Sequence, residues 1–387
     1  MDDFPAGPAS PGPRRPSLSV VIPVHNGGLD LERCLRRLRD SLGVTFELIV
    51  VDDASSDGSA ALAESWGAQV LRHESRRGPA AARNAGARSA SCALVFFLDA
   101  DVAVHPETLA RAVARFESDP GLAALFGSYD AEPEAPGLVS GFRNLLHHYV
   151  HQQGDFVDDA RPARSFWTGC GAIRRQVFLE IGGFDPGLYR RPAIEDIELG
   201  YRMTRAGHRV VLARDVLATH LKRWTLGNVL RTDIFRRGVP WMLLIKRSRI
   251  AETDLNVGRS QKFSVAATGT ANLALLAAPL SPPLLAIAIV GLAVMVVLNR
   301  DFYRFLASRR GWAFAIASVP LHNLYFSCCG LSVVIALALW HFPRRRRVDS
   351  EPSERTGASR RGDRAGRAAS PRPFTAKARR HTRWTKP

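Results

Sequence analysis

The first hundred residues carry apolar positions in short runs that alternate with helical periodicity. Leu18, Val20, Val21, Ile22 and Val24 predict a strand over Ser17–Val24, followed by the loop His25-Asn26-Gly27-Gly28 and an amphipathic helix over Asp30–Leu42. A second strand, Phe46–Val51, ends at Asp52-Asp53. Helix Ser59–Trp66, strand Gln69–Arg72, helix Pro79–Ser89 and strand Leu94–Leu98 complete the run. This alternation predicts βαβ units, an α/β fold and a mostly parallel sheet. Pro106–Ser118 reads as a further helix with proline in its first turn. From Gly121 to about Val216 the pattern is less regular. It holds a glycine-rich turn at Trp167–Ala172, a turn at Gly182–Asp185, a helix led by Ile194-Glu195-Asp196 and ended by Gly207, and a last strand, Arg209–Leu212, with His220 after it.

Beyond the last strand the pattern changes. His220–Arg249 mixes Trp224, Leu230, Phe235 and Trp241 with Arg223, Arg231, Arg236, Arg237 and Lys246, as a helix lying in a membrane interface does, or a peripheral helix packed on the domain. Phe263–Leu298 is apolar and uncharged apart from the break Ser281-Pro282-Pro283. Trp312–Phe342 is free of acids, Lys and Arg. Stretches of this length read as membrane-spanning. The first gives two short spans or one tilted span, and His322-Asn323 marks a break in the second, so two to four spans are expected. The basic clusters Asn299–Arg310 and Arg344–Arg347 favour the cytoplasmic side. The expectation is a multi-pass protein of the cell inner (cytoplasmic) membrane with its catalytic domain in the cytoplasm. Its parts are a disordered N-terminus (1–16), the α/β domain (17–222), basic interfacial helices (223–262), a transmembrane region (263–342) and a disordered basic tail (343–387).

Charge refines this picture. Of the net +17, the last 44 residues supply +11, from 15 Lys+Arg against four acids. Such a tail cannot bury enough apolar surface to order itself. Beside a membrane segment its partner is anionic lipid headgroups rather than nucleic acid. The five cysteines form no Cys-x-x-Cys pair and show no disulfide framework or zinc site, and Cys34 and Cys92 read as small core residues. Met1–Pro16 lacks a basic segment followed by an apolar one and is not a secretory signal.

The chemistry is concentrated where strands end. His25-Asn26, Asp52-Asp53 and Asp99-Ala100-Asp101 each follow a strand, so all three open onto one sheet edge, where open α/β sheets bind ligands. Two carboxylates one residue apart suit a hard cation that bridges phosphates, Mg²⁺ or Mn²⁺.

Four blocks in this order, Val20–Asn26, Val50–Ser59, Gly78–Gly86 and Phe97–Asp101, with Glu195-Asp196 after them, resemble the family 2 glycosyltransferases of the GT-A fold. The resemblance covers about residues 17–225. It implies a nucleotide-sugar donor, most simply a UDP-sugar, held by Pro23, His25, Asn26, Asp53, Arg83 and Asp99. Asp53 would face the base, since a carboxylate accepts from the N–H edge of uracil. Arg83 would lie near base and phosphates, or be a helix-surface charge. Asp101, with Asp99, would hold Mn²⁺ or Mg²⁺, and His220 would be a further metal or phosphate contact, or structural. Asp196 would be the general base of an inverting displacement, or cap its helix. Glu195, Trp167, Arg223 and Trp224 fall on the acceptor side, Trp167 either stacking on the acceptor or joining the core. The Gln-x-x-Arg-Trp pattern of processive members has His220 in place of its glutamine, which argues against polymerisation. The implied acceptor is lipid-linked or another membrane-associated glycan. The alternatives are a polyprenyl-phosphate sugar synthase and a non-catalytic membrane scaffold that keeps the fold.

Overall fold

The computed structural model describes residues 16–248 and 258–342. The expectations for the N-terminus and the basic tail lie outside the described residues. The strands are β1 (Leu18–Val24), β2 (Phe46–Asp52), β3 (Gln69–Arg72), β4 (Leu94–Leu98), β5 (Val102–Val104), β6 (Leu122–Tyr129), β7 (Ala160–Pro162), β8 (Cys170–Arg174) and β9 (Arg209–His220). They form one sheet in the order β3-β2-β1-β4-β8-β6-β9-β5, with β7 also on β9. The β3-β2-β1-β4 half is wholly parallel. Beyond it β8 runs antiparallel to both neighbours, and β6 and β9 are parallel.

Alternation along the strands explains the layers. Leu18, Val20, Ile22 and Val24 of β1 face the cluster that includes Leu31, Cys34, Leu35 and Leu38 of α1 (Gly28–Arg39) and Ala63 of α2 (Ser59–Ser65). Val21 faces the opposite cluster, with Ala80, Ala82 and Ala87 of α3 (Pro79–Ser89). Helix α4 (Thr108–Ser118) joins the first layer. Helices α6 (Arg175–Glu180) and α7 (Glu195–Arg205) join the second, and α5 (Leu138–His151) lies between the sheet and the C-terminal helices. Covering both faces is what lets β1 and β4 be continuous apolar runs. Cys34 and Cys92 are buried and unpaired, as expected of core residues.

Three local expectations are corrected, and two elements are added. Pro106 and Glu107 precede α4 rather than forming its first turn. The last strand runs on to His220, because its pairing with β5 and β6 continues past Leu212, so His220 ends the strand instead of following it. Asp196 is the second residue of α7 and does not cap it; Ile194 stands at the cap position. Finally, β6 and α5 were not anticipated, although Phe142, Leu145, Leu146 and Tyr149 have helical spacing.

The basic segment forms α8 (Leu226–Arg231), a π-helical turn (Thr232–Gly238) and α9 (Val239–Ser248). Trp224, Val229, Ile234 and Val239 are buried in the protein, while Leu226 and Phe235 are exposed. The first apolar stretch is a helical hairpin, α10 (Arg259–Ala277) and α11 (Leu284–Leu298), that turns at Ser281-Pro282-Pro283. Helix α12 (Arg300–Ala317) kinks at Gly311, and α13 (Val319–His341) follows. No break occurs at His322-Asn323, because those polar groups find partners on neighbouring helices. His322 Nδ1 lies 3.0 Å from the Tyr303 hydroxyl, and Asn323 Oδ1 accepts from Asn272.

Among the described residues one helix, α13, is long and apolar enough to cross a membrane. The bent pair α11 and α12, at 68° to each other, makes a second if it is one broken span. The expectation of two to four spans is thus reduced to one or two. Helix α11 alone, about 22 Å long, is shorter than a hydrocarbon core of about 30 Å.

Candidate active site

The carboxyl ends of β1, β2 and β4 lie side by side, and each delivers chemistry to the same edge. Two cavities open there and share Arg83, Asp99, Asp101, Pro192 and Lys222 in their walls. The first, about 330 Å³, is lined by Pro23, His25, Asn26, Asp53 and Arg76. The second, about 150 Å³, is lined by Tyr129, Arg143, Asn144, Trp167, Thr168 and Asp196 among others.

In the first cavity the loop after β1 is fixed to the loop after β2. Asn26, at φ +55°, donates its N–H to Ser55 Oγ at 2.9 Å and accepts from the Ser56 amide at 2.8 Å. His25 Nδ1 lies 2.9 Å from the Asp53 carbonyl. The Asp53 carboxylate is buried and accepts from the amides of Arg77 and Gly78 at 2.8 and 2.7 Å, with His73 Nδ1 at 2.7 Å. Burial opposes its ionised form, but these donors outweigh burial and hold its pKa below the usual carboxylate value. Asp53 therefore shapes the Arg77-Gly78 turn as well as lining the cavity.

That turn requires glycine. Gly78 has φ +89° and ψ 165°, and a Cβ there would stand 2.3 Å from the Arg190 carbonyl oxygen. Gly78→Ala is expected to cost about 2 kcal/mol or more from backbone strain alone. A thermal melt checks it, and an unchanged midpoint would contradict the argument.

Arg83 joins the two cavities. Its guanidinium is buried and donates to Asp99 Oδ1 at 2.6 Å and to Glu195 Oε1 at 2.9 Å. It is not a helix-surface charge. Glu195 also accepts from the Ala193 amide at 2.8 Å, so it faces inward and fixes the start of α7.

Asp99-Ala100-Asp101 forms the turn between β4 and β5, with Asp99 and Asp101 each about a third exposed. Asp101 Oδ2 lies 3.8 Å from both His220 Nε2 and Lys222 Nζ. Burial opposes the Asp101 carboxylate, but His220 and Lys222 overcome it and bring its pKa down to about 2. His220 stacks on Tyr129 with ring centres 4.4 Å apart, and its Nδ1 lies 2.8 Å from Asn144 Oδ1. An imidazole nitrogen and a carboxylate oxygen 3.8 Å apart can both reach one divalent cation. Among the described residues no three His, Cys, Asp or Glu side chains are grouped around such a point.

In the second cavity Asp196 is half-buried. Its Oδ1 accepts from the Ile197 amide at 2.8 Å, and its Oδ2 lies 3.3 Å from the Thr168 amide and 3.4 Å from the Thr168 hydroxyl. Burial, and then Glu195, raise its pKa to about 6 against the pull of Arg83. Trp167 packs against Tyr129 and His147 at 4.7 and 4.9 Å, so it is an aromatic wall of the cavity and part of a cluster at once. Trp224 is buried with its ring against Lys222 and Arg143. Arg223 is exposed and lines neither cavity.

Lys222, Arg143, Asn144 and His147 also line the second cavity, and no motif in the sequence marks them. Lys222 could have been flagged, two residues beyond His220. The other three ride on α5, whose periodicity was legible although its approach to β9 was not.

The family model described as Glycosyl transferase family 2 matches residues 19–182. An uncharacterised protein of Mycobacterium tuberculosis is 31% identical over 233 residues, covering 55% of this chain and 72% of its own. The validoxylamine A glucosyltransferase of Streptomyces hygroscopicus is 30% identical over 231 residues, covering 52% of this chain and 54% of its own. Among solved structures, a mannosyltransferase from Pyrobaculum calidifontis in complex with GDP-Man and Mn2+ aligns with a TM-score of 0.47 at 18% identity, over 86% of this chain and 88% of that one. Ordered strand-end motifs, the cavities they line and the matches to relatives lead to one assignment: the chain belongs to glycosyl transferase family 2.

Proposed function

We propose that this protein is a metal-dependent, inverting glycosyltransferase that moves a sugar from a UDP-sugar to a lipid-linked or otherwise membrane-associated acceptor at the cytoplasmic face. The observation that carries this reading is the pair of joined cavities, with Asp101 on the donor side and Asp196 on the other. Pro23, His25, Asn26 and Asp53 surround the nucleotide. Asp53 uses three of roughly four acceptor sites on its own backbone and His73, which leaves one for the base. Asp99 holds Arg83 in place and borders the ribose. Asp101 and His220 are the residues that would hold Mn²⁺ or Mg²⁺. Such a cation would neutralise charge on the departing diphosphate.

The acceptor hydroxyl attacks the anomeric carbon from the face opposite the diphosphate. As that C–O bond forms, the bond to the nucleotide breaks and the diphosphate leaves with the electron pair. The hydroxyl proton passes to Asp196, whose pKa of about 6 suits a base near neutral pH. Trp167, Glu195 and Trp224 border the acceptor. Membrane attachment is supported by α13 and by the exposed Ile289, Val290, Val297 and Val334 on the C-terminal helices. Arg223, exposed at the head of the basic segment, faces anionic headgroups.

The test is a screen of nucleotide-sugars for Mn²⁺-dependent thermal stabilisation, followed by transfer into lipid extracts with the best donor. Asp101→Ala is expected to remove the metal-dependent stabilisation and to reduce transfer strongly. Undiminished transfer by both Asp101→Ala and Asp196→Ala would overturn the reading.

A further inference from the structure

The second cavity is lined by five cationic side chains, two of which have no ion pair among the described residues. Arg83, Arg143, Lys222, Arg236 and Arg237 all line it. Three are matched: Arg83 by Asp99 and Glu195, Lys222 by Asp101, and Arg143 by the buried Asp233 at 2.5 Å. Arg236 and Arg237, both half-buried, have no ion pair or side-chain hydrogen bond among the described residues.

Their placement is built. Both belong to the π-helical turn Thr232–Gly238, a conformation over-represented at functional sites. Asp233 anchors the start of this turn through Arg143. Gly238 anchors its end against α13, where a Cβ would meet Ser332 Oγ at 2.2 Å. Arg237 shares the cavity wall with Tyr129 and His147 of the aromatic cluster. Trp224, 7% exposed, lines the same cavity, and its buried indole Nε1–H has no partner among the described residues. Two unmatched guanidinium groups and an unused indole donor therefore border the space that also contains Asp196.

We propose that the acceptor carries a phosphate group and that Arg236 and Arg237, with the Trp224 indole N–H, bind it in this cavity. The inference rests on the transferase reading above. Guanidinium forks match phosphate oxygens in geometry and charge, and the indole supplies a neutral third donor.

The experiment uses the full chain in neutral detergent with three probes: decyl phosphate, inorganic phosphate and decanol, each titrated by calorimetry. UDP-sugar binding is measured in parallel. Decyl phosphate is expected to bind and decanol not. Losing a charge-assisted bond weakens binding by about tenfold or more, so Arg236→Gln with Arg237→Gln should lower decyl phosphate affinity at least that far. Nucleotide-sugar affinity should stay unchanged. Arg231→Gln, on the exposed part of the same segment, should leave phosphate affinity intact. Arg237→Lys, which keeps the charge, should recover part of the loss and guards against a double variant that fails to fold. Preference for decyl phosphate over inorganic phosphate identifies a lipid phosphate, and equal binding identifies a free one. Equal binding of decanol, an equal loss in Arg231→Gln, or full affinity in the double variant would each overturn the proposal. Absence of any nucleotide-sugar binding would instead sink the transferase reading, with the phosphate titrations judged separately.

Discussion

Asp196→Asn is expected to reduce sugar transfer by about 10²–10⁴-fold while nucleotide-sugar binding is retained, because a positioned general base contributes on that order. The residue lines only the second cavity, so donor affinity has no reason to change. The wild-type rate should depend on pH with a definite sign. A base works when unprotonated, and burial with Glu195 sets the Asp196 pKa at about 6, so kcat/KM should fall as pH drops through about 6 and level off above it. Glu195→Gln removes the neighbouring like charge and should move that acidic limb to lower pH.

Stability should respond in the opposite sense. A carboxyl group whose pKa is raised on folding binds its proton more tightly in the native state. Its contribution is full below the ordinary value of 3.8 and is lost as pH rises through about 6. Asp196→Asn fixes the neutral form and should raise the melting temperature above pH 6 while it slows transfer. A variant that melts earlier and transfers normally would show that Asp196 serves the fold rather than the reaction.

Arg83→Ala is expected to be the most damaging single change to stability. The side chain is 6% exposed and bridges Asp99 and Glu195, the latter only 5% exposed. Removing it leaves two carboxylates close together without their shared cation, and breaking a buried ion pair this way costs about 3–5 kcal/mol. For a domain of this size that is a fall of roughly 10 °C in melting temperature. Arg83→Lys should recover part of the stability but little activity, because a single ammonium cannot span both carboxylates as the fork does. Melting curves together with donor titration check this. A near-wild-type Arg83→Ala would mean that solvent or another cation satisfies the two acids.

The parallel half of the sheet was legible because each strand there is a continuous apolar run with covering helices between. β2, β3, β4 and α3 fall within a residue of where periodicity puts them. The same pattern marked the strand ends at His25, Asp53, Asp99 and Asp101, since the carboxyl edge of a parallel sheet collects them. The half from β6 to β9 was less legible, because antiparallel and crossing partners leave little trace in local sequence. His220 is an example. As a residue it is one histidine near a strand, and only the β5–β9 pairing brings its Nε2 to within 3.8 Å of Asp101.

What the sequence alone determined was the α/β class, the donor-side strand ends and the presence of long apolar helices, all local properties of period and composition. The tertiary structure decided what those pieces face. Arg83 reads locally as one more helix charge, and it is the fold that buries it between acids 16 and 112 residues away in the chain. His322 and Asn323 read as a break, and neighbouring helices supply the partners that keep α13 continuous. Arg236 and Arg237 read as part of a basic face, and a π-turn anchored by Asp233 and Gly238 brings them to the cavity of Asp196. Periodicity reports which face of an element is apolar. Which charges meet depends on contacts distant in sequence, and those form only when the chain closes on itself.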